Sequence, residues 1–205
     1  ARAAGSLVNT WIIHSRMSRT TLKNLLAGLL YWSGLLSFLL RLRFRGRVVV
    51  LTYHRVLPRS LLQTTFSHES IIVSPQVFEQ HIVALKRHFR ILDVTEFDER
   101  LRTRNFSRKA SCLITFDDAW RDNHTHAFPI LKRLGTPAVI FVPTDYIGTG
   151  RLFWQERLGH LVQTVCRRPT DTAEMILKPY GWEYLATLAS AAQAREIRSV
   201  IRTIK

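Results

Sequence analysis

The chain has 205 residues, 46% of them apolar and 22% charged, which suffices for one sizeable core with a terminal appendage and excludes a disordered polyampholyte. Thirty Lys and Arg against fifteen Asp and Glu leave a net charge of +15, a balance that favours contact with lipid headgroups, acidic polymers or nucleic acid. Two cysteines exclude a disulfide framework and a cysteine-type zinc site, and no P-loop, dinucleotide fingerprint or internal repeat is present.

The charge is uneven. No Asp or Glu occurs before Glu69, whereas ten Lys and Arg lie between Arg2 and Arg59. Within this basic third, residues 25–40 form an apolar block of sixteen, interrupted only by Gly28, Ser33, Gly34 and Ser37. A spanning helix needs about 20 residues, so the block reads as a helix lying in or against a membrane surface, with a helix packed on the domain as the equal alternative. A secretory signal fits poorly, because Arg41, Arg43, Arg45 and Arg47 stand where a small-residue cleavage site belongs. Met17, ahead of a basic segment, is the expected true start, which makes the first sixteen residues upstream sequence.

From Arg47 the periodicity changes. Residues 48–53 are a buried-strand run that ends at His54 and Arg55. Residues 57–74 form a long, largely irregular connection. Ser74 caps a helix with Pro75 in its first turn, and Phe78, Ile82, Leu85 and Phe89 keep helical spacing. Residues 90–94 predict a strand, Thr95 a cap for a helix over 96–102, and 103–110 a basic loop. A further strand over 112–116 stops at two adjacent carboxylates, Asp117 and Asp118. A helix from about His126 to Leu134 should end at Gly135, and a strand over 138–142 should run into a turn at Pro143, Thr144 and Asp145. Residues 154–166 are amphipathic, and 172–205 give helical patterns without a strand. Strand and helix alternate from Arg47 to Val142, which argues an α/β architecture with parallel strands.

The paired acids carry the functional reading. Like charges this close raise each other's pKa unless a cation or several donors separate their roles, so the pair points to a metal or to a base poised for proton transfer. A helix N-terminus that accepts orphan amides is the competing explanation. His54 ends a strand expected beside the Asp117 strand, and an active-site neighbour or a hydrogen-bonded structural residue fits it equally.

The run Thr115-Phe116-Asp117-Asp118, then Asp122-Asn123 and Ala127-Phe128-Pro129-Ile130-Leu131, resembles the first motif of polysaccharide deacetylases of the NodB-homology type. Residues 51–56 match the opening strand of bacterial members, and residues 135–142 and 147–154 match in order and spacing, so the resemblance covers roughly Arg47 to Leu161. It implies a hydrolase acting on carbon–nitrogen bonds other than peptide bonds, which removes acetyl groups from N-acetylhexosamine units of a polysaccharide. By that resemblance Asp117 is the general base, Asp118 a ligand of a divalent metal, zinc, and the fold the N-terminal part of a distorted (β/α) barrel. A bound cation lowers the pKa of its water to about 7 while a carboxylate takes the proton.

Two departures stand out. Ala119 replaces the usual Gly, which puts a Cβ in the turn. The His-Ser/Thr-x-x-x-His motif that completes the metal site is absent, and none of the eight histidines forms the expected pair, so the chain reads as a fragment. Lys178-Pro179-Tyr180-Gly181 lacks the Arg of the family's later substrate motif and is taken as chance. The expected organisation is a basic, membrane-associated N-terminal segment over 1–46, the first half of the barrel over 47–166, and a helical insertion or subdomain over 167–205. A bacterial protein, membrane-associated or at the cytoplasmic face, is expected. The competing function is a non-catalytic membrane- or polyanion-binding protein that keeps part of the fold. Nucleic-acid binding rests on charge alone, without aromatic-basic interleaving.

Overall fold

The computed structural model describes residues 23, 27–29, 32–104 and 110–204. It divides into two units, residues 1–43 and 44–205. In the first, the apolar block is not one continuous helix among the described residues. Gly34, at φ +73°, takes a left-handed conformation that stops a helix, and helix α1 (Leu35–Arg43) starts beyond it. Phe38, Leu39 and Leu42 on α1 are exposed, and no described helix is long and apolar enough to cross a membrane.

The second unit is built on a four-stranded parallel sheet. Strand β1 (Val48–Tyr53) is followed by the short β2 (Arg55–Val56) and β3 (Ile72–Val73), which pair with each other in parallel. The connection 57–74 is therefore more ordered than its composition implied. It holds 3-10 turns at Arg59–Thr64 and Glu69–Ile71, and Leu57 N–H bonds the Val73 carbonyl at 2.9 Å.

Helix α2 (Pro75–His88) begins as expected, with Ser74 Oγ accepting from Val77 N–H, and buries Phe78 and Ile82. Strand β4 (Arg90–Leu92) is shorter than expected, because Asp93 is already the cap of α3 (Val94–Thr103), its Oδ1 accepting from Glu96 N–H at 2.8 Å. Asp outranks Thr as a cap, and the helix accordingly starts a residue or two before the Thr95 position. The basic loop 103–110 lies largely outside the described residues.

Strand β5 (Ser111–Phe116) is the spine. Every residue of it is buried, as a strand flanked on both edges and both faces requires. β1 runs along one edge from Val48↔Ser111 to Tyr53↔Phe116; the other edge takes β4 opposite Ser111 to Leu113 and β6 (Val139–Ile140) opposite Thr115 and Phe116. After β5 the chain passes a π-helical turn at Asn123–Ala127 into α4 (Phe128–Arg133), and Gly135 at φ +55° turns it toward β6.

Two apolar clusters form. Tyr53, Phe78, Ile82, Ile114, Phe116 and Ala127 lie beneath the sheet, where full burial of one such aromatic or aliphatic side chain stabilises by about 1.5–3 kcal/mol. The second joins α5 (Trp154–Cys166), α6 (Thr170–Leu177) and α7 (Ser190–Thr203) through Val162, Leu177, Ile197 and Ile201 around Phe66, a loop residue. Gly159 on α5 makes this possible. An added Cβ there would lie 2.0 Å from Phe66 Cγ, so the helix approaches the loop as closely as it does only without a side chain.

Candidate active site

The parallel register of β1 and β5 decides where the expected site residues fall. It pairs Tyr53 with Phe116, so the next residue of each strand, His54 and Asp117, leaves the sheet side by side at the strands' C-terminal ends. Asp117 N–H still bonds the Tyr53 carbonyl at 2.9 Å. His54 Nε2 lies 3.9 Å from Asp117 Oδ2, close enough for charge attraction and too far for a hydrogen bond. Both side chains are more than a third exposed, so a substrate can reach them.

Asp118 follows in a strained turn. Its φ is +69° and that of Ala119 is +47°, two successive non-glycine residues in the left-handed region. The Cβ noted at Ala119 therefore bears on backbone energy, at roughly 1–2 kcal/mol. The conformation aims Asp118 Oδ2 at Trp120, whose Nε1–H donates to it at 3.3 Å.

What holds this turn is a buried ionic cluster that sequence reasoning left unassigned. Arg55, from β2, donates through Nε and Nη2 to Asp122 Oδ2 at 2.8 and 2.7 Å. Its Nη1 reaches Thr65 Oγ1 at 2.5 Å, Ser67 Oγ at 2.9 Å and Glu156 Oε1 at 3.4 Å. The guanidinium also lies 4.1 Å from the centre of the Trp120 ring, a cation–π contact. Asp122 Oδ1 accepts from Val56 N–H at 3.0 Å. Glu156, on α5, accepts from the Thr65 hydroxyl, Phe66 N–H, Ser67 N–H and the Ser67 hydroxyl. Burial raises the Glu156 pKa, but the hydrogen bonds from Thr65, Phe66 and Ser67 and the Arg55 charge outweigh it and hold the carboxyl below its usual range. One arginine thus ties β2, the 65–67 loop, the segment after the Asp-Asp turn and α5 together.

Arg55 and Asp122 fall in segments that carry the family resemblance, but no sequence signal paired them with each other or with Glu156. Arg55, Asp122 and Glu156 lie 67 and 101 positions apart in the pairs they form, and nothing in spacing brings them together. Near them the Asn123 side chain is buried with neither its Oδ1 nor its Nδ2 bonded to a protein group.

Three of the other described histidines make contacts elsewhere. His81 Nδ1 pairs with Tyr53 Oη at 3.2 Å, and burial, aided by the neighbouring Cys112, pushes that phenol up to about 12. His160 stands edge-on to Phe66, and His124 stacks on Phe128. Asp145 lies in an exposed 3-10 turn, Thr144–Tyr146. Lys178–Tyr180 forms another such turn with no contact to Asp117 or Asp118 among the described hydrogen bonds and ion pairs. Among the described residues no group of three His, Cys, Asp or Glu is gathered closely enough to hold a metal ion. Zinc needs at least three protein ligands, so Asp117, Asp118 and His54 as arranged do not by themselves fit a complete zinc site.

Residues 105–205, which include the Asp-Asp turn, match the family model described as polysaccharide deacetylase. Over these residues the chain is similar to the polysaccharide deacetylase family. The chain is 31% identical over 113 residues to the poly-beta-1,6-N-acetyl-D-glucosamine N-deacetylase of Staphylococcus epidermidis, covering 51% of this chain and 39% of that protein. It is 30% identical over 108 residues to YxkH of Bacillus subtilis, covering 52% of this chain and 39% of that protein. The chain thus spans 39% of the length of each of these two curated relatives. Among solved structures, IcaB from Ammonifex degensii superposes with a TM-score of 0.43 at 29% identity, over 57% of this chain and 48% of that one.

Proposed function

We propose that this chain contributes the carboxylate half of a polysaccharide deacetylase site that removes acetyl groups from N-acetylhexosamine units. The observation that carries the reading is the emergence of Asp117, Asp118 and His54 together at the C-terminal ends of adjacent parallel strands, the two acids within residues 105–205 that match the family. Asp117, exposed and close to His54, takes the proton of an attacking water. His54, 3.9 Å from that carboxylate, flanks it at the neighbouring strand end. Asp118, steered by Trp120, is a ligand for a divalent cation, with zinc proposed. Such an ion would supply Lewis-acid polarisation of the acetamide, and the remaining ligands it would need are not gathered among the described residues.

The test is zinc titration by calorimetry, with acetate release from N-acetylglucosamine oligomers measured in the same samples. The reading expects Asp118→Asn to lose metal binding, and Asp117→Asn to keep it while losing release. An unaltered chain that binds no zinc and releases no acetate overturns it for this chain. It would favour the second reading, a non-catalytic protein whose basic N-terminal third contacts anionic membrane surfaces, for which the absence of Asp and Glu before Glu69 speaks. That reading expects salt-sensitive binding to phosphatidylglycerol vesicles, unchanged by Asp118→Asn.

A further inference from the structure

Asp118, Trp120 and Phe153 each line two cavities, so the two adjoin at the carboxylate proposed to hold the cation. The first, about 280 Å³, also takes in Tyr146, Arg121 and Arg151. The second, about 470 Å³, takes in Trp154, Arg198 and Arg202. Trp120 and Phe153 are in contact at 4.7 Å between ring centres, and Tyr146 packs on Phe153 at the same distance. The centre of the cleft is therefore a wall of aromatic rings beside Asp118.

The charges around that wall are distinctive. Among the described residues Arg121, Arg151 and Arg202 have no carboxylate within salt-bridge distance. Arg198 is fixed from behind, its Nη1 donating to the carbonyls of Leu62 and Thr65 at 3.3 Å. The acids that line the two cavities are Asp118 and Glu156, and Glu156 is already engaged by Arg55 and the 65–67 loop. The cleft is negative at its middle and positive on both sides.

We propose, building on the deacetylase reading, that the cleft takes an anionic saccharide, with a neutral N-acetylated unit at Asp117 and Asp118 and acidic groups on flanking units. A neutral acetamide avoids repulsion by the central carboxylates, the rings offer faces for the apolar side of a sugar, and carboxylate or phosphate on neighbouring units meets the arginines. A polyanion charged at every unit, such as nucleic acid, would place a charge against Asp118 and fits less well.

The experiment is calorimetry at physiological salt on the whole chain with two hexasaccharides, one of alternating N-acetylglucosamine and glucuronic acid, the other of N-acetylglucosamine alone. The acidic oligomer should bind at least about tenfold tighter, consistent with a charge-assisted contact. Arg151→Gln/Arg202→Gln should abolish that difference, whereas Arg102→Gln/Arg168→Gln, with the same loss of charge outside the cleft, should preserve it. Urea midpoints check that both variants remain folded. Competition by glucuronic acid against glucose 6-phosphate identifies the acid, and failure of both to compete counts against the subsite.

Equal affinity for the two oligomers, equal losses in both variants, or equal competition by single-stranded DNA overturns the proposal. Acetate release read in parallel keeps the two readings apart. Release without an affinity difference sinks only the anionic subsite, and an affinity difference without release sinks only the catalysis.

Discussion

Replacing Arg55 by Met keeps the bulk of the side chain and removes the charge that Asp122 and Glu156 share. The two acids do not lose equally. Asp122 Oδ2 loses both of its donors from Arg55, and the carboxylate keeps only the Val56 N–H on Oδ1. Glu156 loses a contact of 3.4 Å and retains four donors from residues 65–67. Removing one partner of a buried ion pair costs about 3–5 kcal/mol. That is a large part of the roughly 5–15 kcal/mol that holds a domain together. Urea unfolding followed by tryptophan fluorescence should show this loss at an unchanged m-value. Because the unpaired charge is chiefly on Asp122, Asp122→Asn added to Arg55→Met should recover at least about 1 kcal/mol, and Glu156→Gln should not. A cost under about 1 kcal/mol for Arg55→Met, or rescue by Glu156→Gln alone, would refute this account of the cluster.

Other expectations follow from single residues. The Glu156 carboxyl is held below its ordinary value of 4.5, so its contribution to stability is complete above that pH and is lost as pH falls through the lowered value. Urea midpoints measured from pH 6 downward should therefore fall below about pH 4.5, and Glu156→Gln should remove part of that dependence. Gly159→Ala forces a Cβ into Phe66, which is only 3% exposed and has little room to move. Overpacking of about 1–3 kcal/mol should exceed the helix-propensity gain of about 1 kcal/mol, and thermal unfolding should come earlier. Ala119→Gly should raise stability by about 0.5–1 kcal/mol, the left-handed strain relieved less the entropy of a glycine. An unchanged or lower urea midpoint would argue against strain at that turn. Cys112 is fully buried and burial pushes its thiol up to about 11, so iodoacetamide at pH 8 should modify it only after unfolding, with partly exposed Cys166 reacting first.

Much of the fold was legible because its signals are local. Ser74 ahead of Pro75 set the start of α2, since a cap and a fixed φ act within one turn, and the apolar run ending at Asp117 and Asp118 gave β5 its end. The limits of such reading are local as well. Thr95 and Asp93 both can cap, and sequence alone did not rank them in place; Gly34 sits inside an apolar block whose pattern gives no hint that it would adopt a left-handed φ. The connection 57–74 looked irregular because β2 and β3 are too short to show a period, and only their pairing defines them.

By itself the sequence determined that this is a basic α/β chain with a deacetylase motif, since residue types, caps and strand runs depend on neighbours along the chain. Tertiary structure decided which acids stand partly exposed at the strand ends and which hold the frame. Asp117, Asp118 and Asp122 are indistinguishable as letters, yet Asp118 lines the cleft, Asp117 stands partly exposed beside His54, and Asp122 is neutralised by an arginine 67 positions away. Register between parallel strands, and the desolvation that makes a buried charge require a partner, act through space, so they exist only once the chain has folded.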